Sequence, residues 1–206
     1  MYSNRLIYIS SVNLFSKRAQ ALQIQRFVKS LFYISQKEEL EFCAYSLSKV
    51  PRKSQAHFKS EDHKLSKNRI INNFKMIFFL ISKRSLQNKD FIYSRDLLIL
   101  LILALIGFRT IYEYHHPAPV LNTILFNLYN FLPRTRLVTI SHALKNYVLK
   151  NTNNFNMEIL VLPSAVEFEK YENSPTKKIC RDQLGLNNDK YYVLHTGSSF
   201  IGRGIE

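Results

Sequence analysis

Several side chains in this sequence are of types, and at spacings, that can do chemistry where strands end. His115 follows the apolar-rich stretch Arg109–Tyr114 and stands just before Pro117. An imidazole held there can donate to a hydroxyl or meet negative charge developing on a phosphate; the plainer reading is a loop histidine. Glu113 lies two residues earlier, so on a strand it shares the face of His115 and can orient the ring. It can equally be a buried carboxylate paired for structure. The same alternation turns His116 the other way. Arg95 and Asp96 close a second short apolar stretch, Phe91-Ile92-Tyr93. Arg95 can clamp an anionic group with two parallel hydrogen bonds, or form a structural Arg–Asp pair across the sheet edge. Lys17 and Arg18 follow the first apolar stretch and can meet a phosphate-bearing group, or stay solvated. Ser141 stands where a helix opens and serves as its N-cap, although that helix end could also face an anion. Tyr191–His195 reads as a strand running into a loop with Gly197, Ser198, Gly202 and Arg203. That arrangement places backbone N–H groups under a phosphate.

The elements that must position these groups alternate in type. Leu6–Ile9 is the expected first strand. Ile24, Phe27, Val28 and Leu31 fall on one helical face. A second strand is expected over Glu39–Tyr45, a helix over Ile70–Ser82, a strand over Asp90–Tyr93 and a helix over Leu97–Ile106 stopped by Gly107. A strand over Arg109–Tyr114, a helix over Val120–Leu132, a strand over Leu137–Ile140, a helix over His142–Lys150 and a strand over Glu158–Leu162 follow. Short βα units with apolar strands mean an α/β, Rossmann-like, doubly wound parallel sheet, whose ligands sit at the carboxyl ends of the strands. The expected division is a domain over 1–163, a linker and helix over 164–190, and the first strand and loop of an incomplete second domain over 191–206.

Composition narrows the partners. The 206 residues carry a formal net charge of +14 and are 46% hydrophobic, which is ample for a core. The densest basic run, Lys49 to Arg69, reads as a solvated loop or a contact with an anionic membrane surface. No nucleic-acid-binding motif accompanies it, so nucleic acid is not expected as a partner. Cys43 and Cys180 lie far apart without a CxxC spacing and read as reduced thiols of a cytoplasmic protein, not as metal ligands. The start lacks a signal-peptide build, and the apolar run Leu97–Phe108 is too short to span a bilayer.

Four segments in order resemble the family-4-like retaining glycosyltransferases of the two-domain GT-B type. Tyr8-Ile9-Ser10, with the loop and helix that carry Ser16, Lys17 and Arg18, resembles the family's first strand, acceptor-side loop and first helix. Phe91–Asp96 is similar to its strand followed by Arg-Asp. Ile111–His115 is similar to its Tyr-Glu-x-His strand end. Val138–Ser141, Ile159–Pro163 and Val193–Glu206 follow its order between domains. The chain departs from the family at Ser164-Ala165-Val166-Glu167, where Asn-Gly-Val-Asp is usual, and at Ser198, where an Arg is frequent. The family's Glu-x7-Glu donor motif would lie beyond Glu206.

The resemblance implies transfer of a sugar from a nucleotide-sugar co-substrate to a glycan or lipid-linked acceptor, with retained configuration and no required metal or cofactor. It implies catalytic roles for His115 and Glu113, and acceptor contacts from Ser16, Lys17, Arg18, Arg95, Asp96 and Ser141. Donor contacts fall to Gly197, Ser198 and Arg203. It places the protein in the cytoplasm or at the inner face of the membrane, with negligible transfer expected from this chain alone. Two rivals remain: a non-catalytic binding module from a truncated gene, and a different α/β nucleotide-binding protein. The latter is disfavoured because no Gly-x-Gly-x-x-Gly follows the first strand.

Overall fold

The computed structural model describes residues 5–16, 19–48, 59–60, 65–117, 120–152, 154–164 and 171–194. The chain divides into two compact units, Met1–Ser164 and Ala165–Glu206. The first is built on β1 (Arg5–Ser10), α1 (Ala19–Lys37), β2 (Glu41–Ser46), β3 (Lys59–Ser60), α2 (Arg69–Ser82), β4 (Phe91–Ser94) and α3 (Leu97–Leu105). It continues through β5 (Arg109–Tyr114), α4 (Val120–Asn130), β6 (Thr135–Thr139), α5 (His142–Asn151) and β7 (Glu158–Val161). The second unit contains α6 (Lys177–Gln183).

All the described strands are parallel, in the order β3-β2-β1-β4-β5-β6-β7. The Rossmann-like α/β sheet expected from the alternation is therefore present. The chain moves outward from β1 to β2 and β3, then jumps back to β4 and proceeds the other way. Right-handed crossovers put α1 on one face of the sheet and α2 to α5 on the other. The core divides accordingly. Tyr8, Tyr93 and Val138 pack with Ile24 and Val28 of α1. Ile7, Ile92 and Leu137 pack with Met76, Leu100, Tyr129 and Leu144. The buried Tyr8 and Tyr93 rings stack at 5.7 Å, and Phe27 of α1 closes on Tyr93 at 5.3 Å.

Four expectations change. The basic stretch read as a loop contains β3, a two-residue strand held by parallel pairing of Lys59 and Ser60 with Tyr45 and Ser46. So short an edge strand leaves no alternation to read. Strand β2 begins at Glu41, not Glu39. Glu39 takes a left-handed φ of 52° and closes α1, with the Leu40 N–H bonded to the Ser35 carbonyl at 2.8 Å. Helix α1 is also far longer than its apolar stripe suggested. In the second unit, Tyr191–Leu194 lie outside helix and strand. A strand exists only through ladder bonds to a neighbour, and Val193 is fully exposed. Thr176 caps α6, and the Arg181 guanidinium sits over the Tyr192 ring at 5.7 Å.

Gly107 is the one glycine of the first unit whose conformation is essential. At φ 99° it ends α3, as expected, and turns the chain into β5.

Candidate functional site

The strand order reverses between β1 and β4, and the crevice outside their carboxyl ends is where an open α/β sheet binds ligands. Register sets what gathers there. Ser94, the last residue of β4, pairs with Tyr112, so β5 runs two residues further, to Tyr114. The overhang sets Glu113 beside Arg95 and carries His115 over the same point.

Arg95 meets Glu113 with two parallel bonds, Nε to Oε2 at 3.0 Å and Nη2 to Oε1 at 2.8 Å. Its Nη1 donates to Gln23 Oε1 at 3.1 Å, and Gln23 Nε2 donates to Ser164 Oγ at 3.1 Å. Glu113 Oε1 also meets His115 Nε2 at 2.6 Å. The result is one continuous chain, Ser164–Gln23–Arg95–Glu113–His115. Arg95 and Glu113 are almost wholly buried, while the imidazole is about one-fifth exposed. Burial alone would raise the Glu113 pKa. The hydrogen bonds from His115 and Arg95 and their charges outweigh it and hold the carboxyl below its ordinary value. An ionised carboxylate only accepts, so Nε2 of His115 carries the hydrogen it shares with Glu113. In the neutral ring Nδ1 then keeps its lone pair for a ligand. The buried hydroxyls of Tyr8 and Tyr93 are pushed up by desolvation, so both stay protonated beneath the pair.

Asp96, the next residue, turns the opposite way. Its Oδ2 accepts from the Ser11 N–H at 3.0 Å and the Ser11 hydroxyl at 2.9 Å. Its Oδ1 accepts from Arg69 Nε at 3.0 Å and Nη2 at 2.6 Å. It stands at the N-cap of α3 but makes no cap bond, because both oxygens are committed elsewhere. Asp96 thereby ties the end of β1, the start of α2 and the start of α3 to one carboxylate. Arg95 and Asp96 are not paired with each other.

A cleft of about 410 Å³ opens between these clusters. Gln20 and Gln23 line it from α1, Arg69, Ile70 and Asn73 from α2, and Arg95, Asp96, Glu113, His115 and His116 from the strand ends. Asn73 is buried, and its Oδ1 has no hydrogen-bond partner. Both guanidinium groups of the cleft already hold carboxylates, and Leu97, Leu98, Tyr112 and Leu125 give its walls apolar surface beside the paired charges. A second cavity, of about 620 Å³, adjoins it through Gln20 and Arg69 and contains Ser16.

Of the residues singled out in the sequence, His115, Glu113, Arg95 and Asp96 come together at this cleft. Ser16 lines the neighbouring cavity and donates to the Asn13 carbonyl at 3.0 Å. Ser141 caps α5, accepting from the Leu144 N–H at 3.2 Å, and lines neither cavity. Lys17, Arg18, Gly197, Ser198 and Arg203 lie outside the described residues. His116 also lines the cleft, against the alternation argument, because β5 has ended at Tyr114 and alternation ends with it. Gln20, Gln23, Arg69 and Asn73 were missed. The pair Gln20 and Gln23, polar at i and i+3, was the available signal for α1. Arg69 was hidden in a basic run that read as loop charge.

Among the described residues, no three His, Cys, Asp or Glu side chains are grouped to hold a metal ion, and no helix is long and apolar enough to cross a membrane.

No protein-family model matches the chain, and no curated protein matches it in sequence. Solved structures do match. One is Anabaena Alr3699/HepE in complex with UDP and glucose, at a TM-score of 0.56 and 11% identity, covering 88% of this chain and 50% of that one. Another is the same protein in complex with UDP, at a TM-score of 0.52 and 14% identity, with the same coverage. The chain thus spans about half the length of the structures it matches. What it shares with them is the fold, the Rossmann-like α/β sheet expected for the N-terminal domain of a GT-B protein.

Proposed function

We propose that the chain supplies the acceptor side of a nucleotide-sugar-dependent glycosyltransferase. The observation that carries this reading is the Gln23–Arg95–Glu113–His115 chain, which ends in an imidazole at the cleft of the strand-order reversal. The fold supports it, since a protein of the same fold holds UDP and glucose. In this reading a sugar passes from a nucleoside diphosphate to an acceptor hydroxyl. The bond from the anomeric carbon to the diphosphate breaks, the bond to the acceptor oxygen forms, and the hydroxyl proton leaves on the departing phosphate.

His115 touches the reacting sugar or hydroxyl through Nδ1, and Glu113 holds the ring. Arg95 keeps Glu113 ionised and fixed. Asp96 and Arg69 shape the wall. Ser16, with Lys17 and Arg18, extends the acceptor side, while Gly197, Ser198 and Arg203 serve the donor diphosphate. The acceptor is a glycan or a lipid-linked glycan, the configuration is retained, and the work is done at the cytoplasmic face of a membrane.

The test is label transfer from UDP-glucose and related nucleotide sugars to membrane and glycan extracts, using the gene product as its cells make it. Transfer with retained anomeric configuration, lost in His115→Ala, is expected. Undiminished turnover in that variant would remove the imidazole from the reaction.

A further inference from the structure

Helix α2 is apolar on both sides. Its inner side buries Met76, Ile77, Phe79 and Leu80 against the core. Its outer side should be polar in a helix that only packs on a sheet. Instead Ile70, Ile71, Phe74, Phe78 and Ile81 are exposed, with Phe78 at 76% and Ile81 at 55%. At 100° per residue these five fall within an arc of roughly 100°. Patches of this kind on a monomer mark an interaction site.

Charge identifies the occupant. From His63 to Lys89 the sequence has seven Lys and Arg residues, one of which, Arg69, is bound to Asp96, and no Asp or Glu. Helix α2 itself holds no acidic residue, and Lys83 and Arg84 follow at its exposed C-terminal end. Large aliphatic and aromatic side chains along one side of a helix, with cations at its margins, match the boundary between acyl chains and anionic headgroups. We infer that the outer face of α2 rests on an anionic lipid surface, with Phe74 and Phe78 entering the headgroup boundary. The first two turns of the same helix supply Arg69, Ile70 and Asn73 to the cleft. A lipid surface on α2 would therefore lie along the cleft's own wall. Delivery of a lipid-borne acceptor is the use glycosyl transfer would make of this, and the surface stands or falls without it.

The experiment is flotation of the protein with vesicles of phosphatidylcholine alone and with one-third phosphatidylglycerol, without nucleotide sugar or acceptor, so failure of transfer does not affect it. Binding to the anionic vesicles only, weakened by salt, is expected. Phe74→Gln with Phe78→Gln should lower the bound fraction at least tenfold. The chain has no Trp, so Phe78→Trp gives an independent reporter whose emission shifts to the blue on anionic vesicles and is quenched by brominated lipid. Equal binding to both vesicle types, undiminished binding in the double Gln variant, or a Trp that stays wet on bound vesicles would overturn the inference. So would light scattering that shows a dimer which the Gln variant dissolves, since the face would then belong to a second copy.

Discussion

Arg95–Glu113 and Arg69–Asp96 are two guanidinium–carboxylate pairs that meet at the adjacent residues Arg95 and Asp96, and each Arg holds its acid through two nitrogens. They differ in what takes the acid's remaining capacity. Asp96 gives it to the backbone N–H and hydroxyl of Ser11, groups that do not titrate near neutrality. Glu113 gives it to an imidazole that is partly open to the cleft. The first pair is closed on the fold, and the second is connected to a site. Similar pairs thus serve the scaffold or the chemistry according to their last hydrogen bond, not their charge.

The largest expected effect tests the closed pair. Asp96→Ala would leave a buried N–H and the Arg69 charge without their acceptor. Arg69 is more than half exposed, so the cost lies with the buried Ser11 donors left unsatisfied, about 1–3 kcal/mol for each. Urea unfolding would measure it, and a loss under about 1 kcal/mol would refute the role of Asp96 as the tie between β1, α2 and α3. Next comes the open pair. His115→Ala should leave the urea midpoint nearly unchanged and lower transfer by about 100-fold or more, the range of a positioned acid or base.

Glu113→Gln comes third. It should lower kcat more than it raises KM and shift the pH–rate profile, because the amide can no longer fix the imidazole hydrogen. It also alters stability against pH with a definite sign. The folded-state pKa of Glu113 lies below the ordinary 4.5. Its contribution is therefore present above that ordinary value and lost as pH falls from it through the lower folded value. The wild type should lose stability over that acid window, and Glu113→Gln should flatten the loss. Unfolding curves that superimpose throughout the window would count against the ionised pair. The smallest effect is Ser141→Ala, about 1 kcal/mol from loss of the α5 cap, with transfer unaffected. A large loss of transfer there would restore Ser141 to the acceptor site.

The sheet and the strand-end groups were legible because both follow from local pattern. The strand-end rule picked out Arg95, Asp96 and the Glu113–His115 segment, although His115 stands past the end of β5, where alternation no longer fixes a side. The partners chosen by Arg95 and Asp96 were not legible. They depend on the two-residue overhang of β5 past β4 and on α2 crossing back beside β1, and both are set by pairing and packing over long sequence distances. Asn73 and Arg69 reach the cleft for the same reason. Glu39 escaped because a left-handed residue that is not glycine leaves no compositional mark.

The overhang of β5 also imposes a parity rule on the site. Side chains on a strand change sides with every residue, so the count of β5 residues past the last pairing with β4 decides which side Glu113 takes. Removing one residue there would break the pairing of Glu113 and Tyr114 with Val138 and Thr139 of β6 and bring His116 to the place of His115. Removing or adding two would restore the side but shift the reach by one full pleat. The site can therefore tolerate changes of side chain around it more easily than a change of one in the count of residues beneath it.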